Sequence, residues 1–203
     1  MKKRSLLTIF GAILLLAGSL SASNIQVNWT GSVLEGTDDS NTFGLGMGAN
    51  LAGQTFQAKV VVDPTIGFIQ SYPDFFSNIG GASVPGYLTS PIVSASLTIN
   101  GQSFNFQSEY WGGYTRDATP NRSQIYTELQ SYGGTAIDEQ LFVTVFLADN
   151  SIPFTGINES LDIALPSGTS GHFQAFTPNG PGPFGRLFAG NLSPNHVTIG
   201  PDV

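Results

Sequence analysis

The chain has 203 residues, 7 Lys and Arg against 14 Asp and Glu, a net charge of −7, and no cysteine. Without its first 22 residues it keeps Lys59, Arg116, Arg122 and Arg186 against all 14 carboxylates, a net charge of −10. An acidic surface with no basic stripe repels nucleic-acid phosphates, and a chain without cysteine has neither disulfide staples nor a thiol for a lipid anchor.

The N-terminus reads basic, apolar, small. Lys2, Lys3 and Arg4 precede an uncharged run from Leu6 to Ala17, and Gly18, Ser19, Ser21, Ala22 and Ser23 follow. This is the tripartite pattern of a secretory signal, with cleavage expected after Ala22 or Ser23. The apolar run is short of the roughly 20 residues that span a bilayer, so a retained anchor is not expected. Residues 1–22 are thus expected to be a signal helix, and residues 23–203 a single domain exported through the general secretory pathway and released from the membrane.

The remainder is rich in Gly, Pro, Ser, Thr, Asn and aromatics and poor in charge, which suits pleated strands joined by tight turns. Ile25 to Leu34 reads as a strand, and Asp38-Asp39-Ser40-Asn41 as an acidic turn whose oxygens also suit Ca²⁺. Gln54 to Asp63 places Phe56, Ala58, Val60 and Val62 on one face. Asp63 to Pro91, with four prolines, reads as a packed loop with one helical turn near Asp74–Phe76. The sharpest signal follows it. Val93, Ala95, Leu97 and Ile99 alternate with polar residues, and Asn100-Gly101 supplies a type I′ turn. The return strand then sets Phe104 opposite Leu97, Phe106 opposite Ala95, Ser103 opposite Thr98 and Asn105 opposite Ser96.

Further on, Ile125 to Tyr132, Gly171 to Thr177 and Leu187 to Gly190 read as strands. Glu139 to Ala148 is apolar on both faces and is expected to be a central strand covered on both sides. Short strands punctuated by Gly, Pro and Asn indicate an all-β fold: an antiparallel β-sandwich or jelly roll with long Pro/Gly-rich loops.

Several of these segments resemble exported bacterial β-sandwich proteins of the PEP-CTERM type, which carry an exosortase sorting signal. The resemblance lies in Thr30-Gly31-Ser32-Val33, in Phe43-Gly44-Leu45-Gly46-Met47-Gly48, in Leu51-Ala52-Gly53-Gln54-Thr55-Phe56 through Val62-Asp63-Pro64, and in the Ile92–Phe106 hairpin. Leu141–Asn150 and Leu165-Pro166 extend it. The resemblance implies an all-β extracellular domain and supplies no catalytic residues. The tail from Asn195 to Val203 has no Pro-Glu-Pro, apolar run or basic cluster, so sorting by that route is not expected.

Chemistry is sparse. Ser170 and His172 lack the spacing of a nucleophile elbow, and His172 and Gln174 fall on the polar face of their strand. No metal-ligand spacing and no cofactor motif is present. Glu109, Asp117, Glu128, Asp138 and Glu139 could in principle flank a glycosidase cleft, but spacing pairs none of them. Trp111, Tyr114, Arg116 and Asp117 carry two readings. With Gly112-Gly113 letting the aromatics share a face, they would bind a sugar; otherwise they form an aromatic loop over the core edge. The expected function is a non-catalytic exported bacterial protein of the surface or matrix, with polysaccharide or cell-surface partners. A carbohydrate-binding module is the alternative and a glycoside hydrolase the second.

Overall fold

The computed structural model describes residues 23–81, 86, 89–106, 111–119, 123–131, 139–147, 152, 156–157, 160–167, 169–177 and 180–202. The expected signal segment, Glu109, Asp138 and the expected turn at 149–150 lie outside them. The chain forms β1 (Ile25–Asp38), β2 (Ala49–Asn50), β3 (Thr55–Val62), β4 (Phe68–Tyr72), β5 (Phe75–Gly80), β6 (Ile92–Ile99) and β7 (Gln102–Asn105). Then come β8 (Trp111–Asp117), β9 (Ser123–Gln130), β10 (Glu139–Leu147), β11 (Leu161–Ala164), β12 (Ser170–Phe176) and β13 (Arg186–Pro201), with one 3₁₀ turn at Pro183–Gly185. Every pairing is antiparallel.

The all-β expectation holds, in a particular form. The strands make one sheet in the order β4-β5-β8-β9-β10-β12-β13-β1-β3-β6-β7, with β11 beside β13 and β2 beside β1. That sheet curls into a half-barrel, so the layers of the sandwich are parts of one ladder. Two contacts prove the curl. Trp29 on β1 donates from Nε1 to Thr127 Oγ1 on β9 at 3.0 Å, although β1 and β9 lie four places apart in the sheet. On a flat sheet four steps would separate them by about 19 Å. Phe104 on β7 likewise reaches Phe188 on β13, four places away, with ring centroids 4.8 Å apart.

The curl buries one face. Ile25, Val27, Trp29 and Val33 of β1, Ile125 and Leu129 of β9, Leu141, Val143 and Val145 of β10, and Phe173 of β12 all enter the core. Around Phe188 gather Phe43, Phe104 and Phe173. A side chain at Gly190 would meet the Phe173 ring at 2.7 Å, so the glycine is what lets that ring lie against β13.

The β6–β7 hairpin forms in the expected register: Ser96 opposite Asn105, Leu97 opposite Phe104, Thr98 opposite Ser103. Phe106 N–H donates to Ala95 C=O at 3.1 Å. Asn100 and Gly101 have φ of 51° and 72°, as a type I′ turn needs. Asn100 also anchors the hairpin, donating from Nδ2 to Phe43 C=O at 3.1 Å.

Four expectations are corrected. The expected packed loop between Asp63 and Pro91 contains the β4–β5 hairpin, with Pro73-Asp74 as its turn rather than the start of a helical one. Trp111–Asp117 is a strand between β5 and β9, not a loop. β13 runs to Pro201, far past Gly190, because a register shift beside β1 at Thr30/Gly31 accommodates Pro194. Finally, the outer face of β10 is not covered as the inner one is: Phe146 is 58% exposed, and among the described residues no second layer of strands lies over it.

Asn100→Ala removes a residue that tolerates positive φ together with its bond to Phe43. We expect the urea midpoint to fall by an amount equivalent to about 1–2 kcal/mol, whereas Ser103→Ala, at an exposed outer position of the same hairpin, should change stability by less than about 1 kcal/mol.

Candidate functional site

Strand parity sorts the side chains into two sets. The residues first considered for sugar binding are divided by it. Along β8, Tyr114 and Arg116 point inward and are 2% and 1% exposed, while Trp111 and Asp117 point outward. Tyr114 packs against Phe76 at 6.2 Å. Asp117 is itself buried, accepting from the amide and hydroxyl of Thr119 at 3.0 and 2.8 Å. Trp111 and Tyr114 therefore do not share a face, and the four residues do not form one flat platform. Only Trp111 remains at the outer surface, half-buried.

The carboxylates are similarly separated. Glu128 lies on the outer face, where Tyr126 Oη donates to it, and Glu139 lies on the inner face, buried. Asp38 ends β1 inside the core and accepts from the amides of Thr42 and Phe43 at 2.8 and 2.7 Å. Asp39 pairs with Arg186 Nε at 2.5 Å. Both acidic groups of the candidate calcium turn thus hold the protein's own chain. Among the described residues no three His, Cys, Asp or Glu side chains come together as a metal site would require.

A different grouping emerges on the outer face of β10, β12, β13 and β1. Cross-strand register puts Phe142 opposite His172, His172 opposite Asn191, and Asn191 opposite Glu35 in one row. The polar members are bonded in series: Asn191 Nδ2 donates to Glu35 Oε1 at 2.6 Å, and Asn191 Oδ1 lies 3.2 Å from His172 Nδ1. Because the Asn191 oxygen can only accept, Nδ1 carries the proton, and Nε2 is the acceptor nitrogen of the neutral ring. One row over, Gln174 Nε2 donates to Gln140 Oε1 at 3.2 Å.

Beside this row the sheet surface is hollowed. The depression, about 520 Å³, is lined by Leu34, Phe142, Ser170, His172, Asn191 and Ser193, among others. Leu34 is there because β1 bulges between Val33 and Glu35, which turns two successive side chains outward. Ser170 and His172 occupy the same face but make no hydrogen bond to each other among the described residues. Sequence reasoning placed His172 and Gln174 together on the polar face, as found. It missed Leu34, Glu35, Phe142 and Asn191, whose meeting depends on the order β10-β12-β13-β1 and on the bulge.

Next to the hollow, the ring of Tyr126 stands edge-on to Phe142 at 5.4 Å. Burial raises the Tyr126 phenol above its ordinary range, and the bond to Glu128 and the negative charge there push it the same way. No helix among the described residues is long and apolar enough to cross a membrane. Comparison with known protein families, with curated proteins and with solved structures finds no match for this chain.

A phenol whose folded pKa is raised is favoured in its protonated form by folding. Its contribution is fully present below the unfolded value near 10 and is lost as pH rises from there toward the folded value. In an alkaline absorbance titration Tyr126 should be among the last of the six tyrosines to ionise. Tyr126→Phe should flatten the decline in stability above about pH 10; an unchanged decline would contradict this origin.

Proposed function

We propose that this protein is a non-catalytic exported domain that acts by adhesion at the bacterial surface or in the extracellular matrix. The observation that carries this reading is the outer face of β10, β12 and β13, a surface of aromatic and neutral polar side chains. Phe142 and Phe146 stand on it, and the Gln140–Gln174 and His172–Asn191 pairs lie between β10, β12 and β13. Phe146 is exposed and Phe142 half-buried, and apolar groups rimmed by polar ones in this way mark interaction surfaces. The leader pattern of Lys2 to Ser23 supports export, and a cysteine-free core is stable whatever the redox state outside the cell.

The arrangement suits holding better than turning over. Inward-facing Arg116 and Glu139 are buried in the core, outer Glu128 is engaged by Tyr126, and Asp38 and Asp39 hold backbone and Arg186.

The test is expression of the full chain in a bacterium, followed by washing and fractionation. The expected result is a shortened chain beginning at Ser23 or Asn24, retained with the cell surface or matrix. Phe146→Ser should reduce retention several-fold while leaving the unfolding midpoint nearly unchanged. A full-length chain confined to the cytoplasm, or a mature chain recovered wholly in spent medium, would contradict the proposal.

A further inference from the structure

We propose that the hollow between Leu34 and Phe142 binds an uncharged pyranose chain laid across β10, β12, β13 and β1. The assignment rests on the adhesive reading above and names the ligand class of one part of that surface.

Leu34 forms one wall of the hollow. It is 66% exposed and contributes nothing to the core, yet a bulge in β1 adds it to the outer face beside Glu35. A bulge that re-aims an apolar side chain into solvent costs stability unless something covers it. On the opposite side of the hollow stands Phe142, supported edge-on by Tyr126. Phe142 and Glu35 are separated by three interstrand steps, about 14 Å, a span suited to two or three linked sugar rings.

Between these apolar walls the floor is made of groups that bond hydroxyls. The Glu35–Asn191–His172 series fixes the orientation of the Asn191 amide and leaves His172 Nε2 as an acceptor. Ser170 and Ser193 add hydroxyls, which act as donor or acceptor. Apolar walls around a few oriented neutral polar groups match a pyranose, which has C–H faces and equatorial hydroxyls. The charge selects among sugars. Among the described residues the lining contains no Lys or Arg, the Glu35 carboxylate is bonded to Asn191, and the whole chain is acidic. Uronates and sulfated sugars find no counter-ion there and are repelled.

The experiment is calorimetry and amide-shift titration of the chain from Ser23 with three probes: tetramers of β-1,4-linked glucose, α-1,4-linked glucose and galacturonic acid. Saturable binding of at least one glucose tetramer is expected, with little binding of the galacturonate. His172→Phe keeps an aromatic ring but removes both its nitrogens, and Leu34→Ala removes one wall. Each should weaken binding roughly tenfold or more, with an unfolding midpoint close to that of the parent.

Three results would overturn the assignment: no binding of either glucose tetramer, undiminished binding by both variants, or galacturonate bound as tightly as glucose. Surface retention that persists without tetramer binding would end this assignment and leave the adhesive reading standing. Loss of both would end both.

Discussion

The fold depends on a contact made across the sheet rather than along it. Trp29 is fully buried on β1, and its indole N–H reaches Thr127 on β9, so two strands that the ladder places far apart are held face to face. A buried indole contributes both a large apolar area and one obligatory hydrogen bond. The hydroxyl of Thr127 answers that bond, and in the same core Phe188 gathers Phe43, Phe104 and Phe173. With no disulfide available, these contacts keep a single sheet from lying open.

The curl also determines where chemistry is possible. A half-barrel packs one face and turns the other outward, so strand parity sorts most side chains between the two. Tyr114 and Arg116 fall on the inner side and serve the core. Phe142, His172 and Asn191 fall on the outer side and meet one another only because β10, β12 and β13 are neighbours. The bulge in β1 then adds Leu34 and Glu35 to that surface. Structure and proposed adhesion are thus linked: the residues that do not close the barrel are the ones free to meet a partner.

What could be read from the residues was the local part. The β6–β7 hairpin was legible to the pair, because alternation and Asn100-Gly101 specify register without help from the rest of the chain. The apolar face of β3 was legible for the same reason. Strands whose pattern is broken by glycine or proline were not. Gly112-Gly113 disguised β8, and Pro194 and Asn195 disguised the second half of β13, since only a partner strand shows that a bulge can absorb them. Phe142 and Phe146 suggested a strand covered on both sides; that no second layer covers them among the described residues is a property of the curl, not of β10. The candidate site was illegible in the same way. Its members come from four strands spread between Leu34 and Ser193, and no local spacing joins them.

The central claim, that the Trp29–Thr127 contact closes the sheet, is tested most directly by a double-mutant cycle of Trp29→Phe and Thr127→Val read by urea unfolding. The two single changes are expected not to be additive, with a coupling of about 1 kcal/mol or more. Additivity within a few tenths of a kcal/mol would contradict it.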